Sequence, residues 1–546
     1  MVLGSANKHA EGPLGHAIWY HVLEDDTFEA VGIRQGVAAS LRAAFPHVKC
    51  PTPMQRKLIP AIFGEKDIIL QDHTGSGKSF AVMIALLNKQ RGGKGAKKGI
   101  TTLVIVPHRD LAYQYLHWMH SIVTAQRTAA PWPLSSIARV LVRGFHPENV
   151  DKKFSQLVGS ILSPSSDLSA LCQDPPHILI GTPNAIMDVV LREPEALHLH
   201  TLSTVVVDEV DSLLEWVPSR KSHSTQKKIQ KKQEKHPMVL RRVMDMLFTS
   251  KTSSHAPVQR PQLILLSATM RRKLRDALYG DFGWLKPGNV TSLIRAPSKS
   301  LPAHALNRMA IHHVLVVSED GSIRNLPGAC PAKEGEKSWS AENEGAACIE
   351  GVDDSLYEED EAVFDEADAG EHEALRACIA EAPLAVNPAM LEAVASAVAL
   401  DVPRAALLVL PATASVRKIV FELRQLGVDA RAFDLLGNEA SPVSQDVVDV
   451  PAENPVLLVS TLATTRGMDL PMLTHVFLFG VPGGRSGDSY LHVGGRVGRF
   501  GRKGKVVTIL EARKARGVGK DEDEPKRMAV VLQRLGITPT QFAHFE

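Results

Sequence analysis

Between Gln71 and Phe80 the chain reads Gln-Asp-His-Thr-Gly-Ser-Gly-Lys-Ser-Phe, a set of residues suited to gripping a polyphosphate. From Thr74 to Ser79 every working part is present. Gly75, Ser76 and Gly77 form a turn whose backbone N–H groups can face phosphate oxygens. Lys78 supplies a cation for the β and γ phosphates, and the Ser79 hydroxyl can ligate Mg²⁺. The apolar run Phe-Ala-Val-Met-Ile-Ala-Leu-Leu that follows predicts a helix whose N-terminus faces the anion. Asp72 is the discordant residue, because a carboxylate beside a polyanion is unfavourable unless it turns away or pairs with a cation. Further along, Val-Val-Val-Asp-Glu-Val-Asp-Ser ends an apolar strand in Asp208, Glu209 and Asp211. Hydrolysis of a phosphoanhydride needs one carboxylate to hold Mg²⁺ and another group to orient the attacking water, and Asp208 and Glu209 suit those tasks. An acidic strand end alone is commonly a solvated turn; beside a phosphate loop it reads as the second half of a nucleotide site.

The elements that must position these groups are legible as apolar runs: 67 to 71, 102 to 107, 177 to 183, 203 to 209 and 262 to 269, with helical stretches between them. Continuous apolar strands separated by helices predict a parallel sheet covered on both faces, an α/β domain over residues 28–296. The pattern restarts near 405, 455, 474 and 504, predicting a second α/β domain over 309–515. A Pro-containing linker at 297–308 joins the two, with extensions at 1–27 and 516–546. The C-terminal extension contains an amphipathic helix from about Pro525. A chain of 546 residues, 44% hydrophobic, is long enough for two cores.

Charge is segregated along the chain. The 62 Lys+Arg and 60 Asp+Glu leave only +2 overall, yet residues 219–236 are rich in lysine and 334–373 strongly acidic. The basic run reads either as an exposed loop or as a nucleic-acid contact or localisation patch. The acidic run has too little aliphatic surface to repay its ordering entropy and is expected to be a disordered insertion. Five widely spaced cysteines without a CxxC pair argue against a zinc site or a disulfide framework and fit a reducing interior. No apolar run reaches the roughly 20 residues needed to span a bilayer, so a soluble, membrane-independent protein is expected. The N-terminus shows neither a secretory signal nor an ordinary transit peptide, which leaves the nucleus or nucleolus, the cytosol and the mitochondrion open. Histidines, including His312 and His313, lack metal-ligand spacing and are expected to be surface or satisfied polar groups. The aromatic residues of the helix from Arg109 are expected to pack on the sheet.

Taken in order, these residues closely resemble the DEAD-box RNA helicase family from about Phe28 to Gly504. Pro51 to Gln55 resembles the Q motif, 73 to 79 motif I, 107 to 112 motif Ia, 181 to 183 motif Ib, 208 to 211 motif II, 267 to 269 motif III, 460 to 471 motif V and 490 to 504 motif VI. The resemblance implies two tandem RecA-like domains, with ATP and Mg²⁺ bound in the cleft between them and RNA across both. Phe28 and Gln55 would contact adenine, while Gly467 and Asp469 would contact the ribose. Arg496 and Arg499 would approach the γ-phosphate as arginine fingers. Asp211, His492, Ser267, Ala268 and Thr269 would couple the lobes, and Pro107, Arg109, Thr182, Pro183 and Thr461 would touch the RNA backbone. Such contacts carry little sequence information, so binding is expected to be salt-sensitive and largely sequence-independent.

The departures from the family pattern are Asp72 in motif I, Asn184 and Ala185 after motif Ib, Val210 in motif II, Leu462 in motif V and Val493 in motif VI. None removes a catalytic group. The expected activity is therefore that of a monomeric ATP-dependent RNA helicase, working with protein partners in ribonucleoprotein or ribosome assembly. A catalytically weak, helicase-derived RNA-binding scaffold is the alternative, and an ATP-driven DNA translocase is disfavoured by the Q-motif resemblance.

Overall fold

The computed structural model describes residues 27–90, 99–125, 133–147, 150, 155–165, 168–214, 238–249, 259–294, 310–318, 320–331, 383–403, 405–411, 413–433, 456–465, 467–468, 470, 473–482, 487–497, 504–512 and 523–545. The expected linker, both charged insertions, Asp469 and Arg499 lie outside them.

Two sheets organise the chain. The first contains β1 (Asp67–Gln71), β2 (Thr102–Ile105), β3 (Ala138–Leu141), β4 (Ile161–Leu162), β5 (Ile178–Gly181), β6 (Thr204–Val207), β7 (Gln262–Ser267) and β8 (Val290–Ile294). They lie in the order β4-β3-β5-β2-β6-β7-β1-β8, all parallel. The second contains β9 (Ala310–Val317), β10 (Ile323–Asn325), β11 (Ala405–Leu410), β12 (Ala430–Ala432), β13 (Val456–Thr461), β14 (His475–Phe479) and β15 (Gly504–Glu511), in the order β10-β9-β15-β14-β11-β13-β12. Only the edge strand β10 runs antiparallel to its neighbour.

Alternate residues of each strand feed opposite faces, as the two-residue period of a strand requires. Ile68 and Leu70 enter one apolar cluster and Ile69 another, while Val104 faces away from Leu103 and Ile105. In the second sheet, Leu407 and Val409 separate in the same way from Ala406, Leu408 and Leu410. Burial on both faces is what a continuous run of branched apolar residues encodes.

Helices α1 (Gln35–Ala44), α2 (Gln55–Phe63), α3 (Lys78–Asn88) and α4 (Arg109–Thr124) belong to the first domain. The phosphate loop follows β1, the acidic cluster follows β6, and Ser267 closes β7; these strands are neighbours, so their carboxyl ends meet. In the second domain Thr461 closes β13, and the helix Asp488–Gly494 follows β14. Crevices at the carboxyl ends of parallel strands are where such sheets bind ligands.

His312 and His313 sit inside β9, where they are buried and bonded. His312 Nδ1 meets the Tyr490 hydroxyl at 2.7 Å, and His313 Nδ1 meets the Thr540 carbonyl oxygen at 2.9 Å. Phe542, also buried, packs edge-on against His313 with ring centres 5.0 Å apart.

Candidate nucleotide site between the two domains

The phosphate loop takes the shape its glycines permit. Gly75 and Gly77 have φ of 79° and 81°, a left-handed conformation that only glycine adopts without strain. The loop is strapped from beside: Gln55 Nε2 donates to the Gly77 carbonyl at 3.2 Å, Gln55 Oε1 accepts from Thr52 N at 2.9 Å, and the Thr52 hydroxyl donates to the Ser76 carbonyl at 3.1 Å. Gln55, expected to read adenine, is therefore 3% exposed with its amide engaged within the protein. Phe28, expected to stack on the base, is wholly buried in the core and presents no ring face in this conformation.

Asp72 turns inward. Its side chain is 3% exposed, and Oδ1 accepts from His73 N and faces His73 Nδ1, both at 2.9 Å. Burial alone would raise its pKa, but the bonds to His73 and the charge of Lys78 outweigh that and hold it at about 2. The carboxylate is thus an internal anchor of the loop. Lys78 Nζ donates to the Asp72 and His73 carbonyls, each at 2.8 Å. Burial pushes its pKa down, while Glu209, Asp208 and Asp72 oppose the shift and Arg496 adds to it.

At the end of β6, Asp208 is fully buried. Its Oδ1 accepts from Glu209 N and its Oδ2 from the Tyr115 hydroxyl, both at 2.9 Å. Burial and the neighbouring Glu209 push Asp208 up to about 6. Glu209 has φ 51° and ψ 47°, a left-handed backbone that costs a side-chain-bearing residue on the order of 1–3 kcal/mol and is found where function demands it. Val210 is packed in the apolar core, so its departure from alanine is accommodated there.

Asp211 faces motif III. Its Oδ1 and Oδ2 accept from the Ser267 and Thr269 hydroxyls, each at 2.6 Å, and Thr269 N donates to Ser267 Oγ at 2.9 Å. From the second domain, His492 Nε2 lies 3.9 Å from Asp211 Oδ2. Glu209, Asp211 and His492 have potential ligand atoms within 4.8 Å of one another, but both Asp211 oxygens are already committed to hydroxyls. Arg496 is 3% exposed, donates to the Met468 carbonyl, and lies close enough for its charge to act on Lys78.

The two domains meet through glycine. A Cβ on Gly467 would come within 2.6 Å of Leu111 Cδ2, and a Cβ on Gly495 would overlap the Thr74 hydroxyl. Gln114 Nε2 donates to the Gly467 carbonyl at 3.3 Å. Leu111 and Met468 share one apolar cluster, making the interface continuous with the cores. Val493, where the family carries arginine, is buried in that cluster.

The residues expected to contact RNA are not gathered into one patch by these contacts. Arg109 is half exposed beside Asp110, and Thr182 precedes Pro183, the first residue of the helix Pro183–Arg192. Pro183 itself is buried, Pro107 is half-buried, and Thr461 meets the Thr464 hydroxyl at 3.1 Å. His108 caps α4 by accepting from Leu111 N at 3.3 Å.

Comparison with known proteins agrees with this arrangement. Residues 52–277 match the family description "DEAD/DEAH box helicase" and 417–501 match "Helicase conserved C-terminal domain", more than half of the chain between them. The chain belongs to the DEAD-box helicase family. Similar curated proteins include an ATP-dependent rRNA helicase SPB4 of Meyerozyma guilliermondii, 31% identical over 30% of this chain and 24% of its own. A DEAD-box ATP-dependent RNA helicase 29 of Oryza sativa subsp. indica is 32% identical over 34% of this chain and 18% of its own. The matched segments thus span about a quarter or less of these relatives. Among solved structures, S. cerevisiae Dbp5 bound to RNA and ADP BeF3 aligns with a TM-score of 0.52 and 15% identity over 95% of both chains. Mss116p bound to ssRNA and AMP-PNP gives 0.55 and 18% over 94% of this chain and 77% of that one. At these identities the likeness establishes the fold: two RecA-like α/β domains in tandem. Among the described residues no helix is long and apolar enough to cross a membrane.

The sequence did not single out Tyr115. Its phenol reaches the Asp208 carboxylate from a helix that otherwise reads as core packing, and no local pattern marks it.

Proposed function

We propose that this chain is an RNA-stimulated ATP hydrolase that remodels or locally unwinds RNA duplexes. The observation that carries the reading is the convergence of Lys78, Asp208 and Glu209 from one domain with His492 and Arg496 from the other. A site assembled from both domains ties nucleotide chemistry to their closure, and a strand lying across both domains favours the same closure.

The residues present fit a divalent cation. Asp208 and Glu209 set two carboxylates beside one lysine, and Asp208 is pushed up by its burial and then by the charge of Glu209, a penalty that a bound cation would relieve. Ser79 and Asp208 would hold Mg²⁺, which neutralises phosphate charge when bound. Lys78 leaves its loop carbonyls to pair with the β and γ phosphates. Glu209, held by its left-handed backbone, orients the attacking water. Arg496, with Arg499, meets the charge that develops on the γ-phosphoryl oxygens. The Asp211, Ser267 and Thr269 bonds, read by His492, carry the state of the first domain to the second. Asp72, which with the eroded motifs Ib, V and VI motivated the scaffold alternative, is buried and bonded to His73, and that favours the motor.

The rRNA named in the relatives supports ribosomal RNA as substrate, protein partners in ribosome assembly and a nuclear or nucleolar place of work, where the chain would act as a monomer. Pro107, Arg109, Thr182, Pro183 and Thr461 would line the RNA backbone.

The test is steady-state ATP hydrolysis with and without single-stranded RNA, beside Glu209→Gln. RNA-stimulated turnover abolished by the substitution is expected. RNA binding without turnover above that control would return the scaffold reading.

A further inference from the structure

Tyr115 is a fully buried phenol that donates to a catalytic carboxylate oxygen, Asp208 Oδ2, at 2.9 Å. Ser79 stands close to both groups. The phenol therefore sits against the pair of side chains assigned to the divalent cation and bonds one of them. Because Oδ1 is fixed by Glu209 N, the pair of donors sets the carboxylate's orientation completely.

The ring is itself immobilised. Tyr115 packs on Trp118 with centroids 5.8 Å apart, Trp118 meets Phe80 edge-on at 5.2 Å, and Phe80 meets Phe45 edge-on at 5.3 Å. This aromatic ladder runs from the end of α1 through α3 to α4, so three helices hold one hydroxyl in place. A donor that locks a ligating carboxylate tunes metal affinity as strongly as many ligands do.

We propose that Tyr115 is a positioning residue that orients Asp208 toward the Mg²⁺ site and thereby sets the concentration of Mg²⁺ at which the chain captures nucleotide. The inference rests on the assignment of Ser79 and Asp208 to the metal. Tyr115→Phe keeps the ring and the ladder and deletes only the donor.

The experiment titrates Mg²⁺ against two readouts, RNA-stimulated ATP turnover and equilibrium binding of a fluorescent ADP, for the full chain and for Tyr115→Phe. The expected result is a half-saturating Mg²⁺ concentration about tenfold higher in both readouts, with turnover recovered at saturating Mg²⁺ and ADP affinity in EDTA unchanged. An unchanged half-saturation overturns the proposal, even if the variant melts earlier. Parallel loss of ADP affinity in Mg²⁺ and in EDTA also overturns it, since that is general damage to the pocket. An unsubstituted chain that turns over ATP without any Mg²⁺ dependence refutes the metal assignment itself, a failure distinct from the other two.

Discussion

Gly495→Ala tests whether the contact between domains is part of the chemistry. The new Cβ would overlap the Thr74 hydroxyl and lie 3.0 Å from the Leu491 carbonyl, yet only 3.5 Å, an ordinary contact, from Thr74 Cβ. Forcing a methyl into a packed site costs about 1–3 kcal/mol, and the share that comes from the overlap with Thr74, across the domain interface, falls on the closed arrangement. The closed population should drop by roughly 5- to 150-fold, and RNA-stimulated kcat with it. Melting of the first domain should stay unchanged, and that of the second should fall only slightly, because the approach to the Leu491 carbonyl is all that remains once the domains separate. Thr74→Ala removes the overlapping hydroxyl, so the double variant Thr74→Ala/Gly495→Ala should recover most of the loss relative to Thr74→Ala alone, a coupling read from the cycle of four proteins. Wild-type turnover in Gly495→Ala, or no recovery in the double variant, would refute the reasoning.

Two further outcomes concern stability. Arg260 forms a two-pronged pair with the fully buried Asp67, with Nη1 to Oδ1 at 3.0 Å and Nη2 to Oδ2 at 2.8 Å. Arg260→Ala leaves that carboxylate with the Leu263 N–H at 2.8 Å but no countercharge and should cost about 3 kcal/mol, seen as earlier thermal unfolding of the first domain. In the second domain, burial together with the charge of His313 pushes His312 from 6.5 to about 4, and burial, helped by Lys505 and His475 and opposed by the Thr540 carbonyl and Asp401, brings His313 to about 4. Native imidazoles that resist protonation leave the unfolded chain to bind protons first, so stability is lost as pH falls from 6.5 toward 4. At pH 5 each costs on the order of 2 kcal/mol. Asp401, held at about 2, keeps its contribution across that window. Urea midpoints at pH 7 and pH 5 measure the effect, and a midpoint indifferent to pH would contradict it.

Much of this was legible in the sequence where apolar runs and motif chemistry coincide. β1 occupies the residues expected of it, 67 to 71, and β2, β5, β6 and β7 fall inside their apolar runs. What escaped notice was a set of strands without that signature. β9 is broken by two buried histidines that look polar, β8 is a half-exposed edge, and β3 begins with an alanine and a buried arginine. Candidate catalytic residues could be proposed from their types, but the direction of a side chain could not. Asp72 looked like a threat to phosphate binding because its burial and its bond to the adjacent His73 depend on how the loop folds, which residue type does not reveal. Tyr115 looked like packing because its partner lies 93 residues away.

The clasp of residues 540–545 against β9 bears on how the second domain is made. Thr540 N donates to the His312 carbonyl at 2.8 Å, and Asn325 Oδ1 accepts from Phe542 N at 2.7 Å. His313 and its partner Thr540 stand 227 positions apart, so β9, which leaves the ribosome early in this domain, must wait for residue 540 to emerge before its His313 imidazole meets that carbonyl. During synthesis the first domain can already fold and sample nucleotide while the second remains an open sheet with histidines facing an unfilled seat. Long-range closure of this kind is slow and exposes apolar strands meanwhile. A ribosome stalled before codon 540 should therefore display a folded first domain tethered to a protease-sensitive second one.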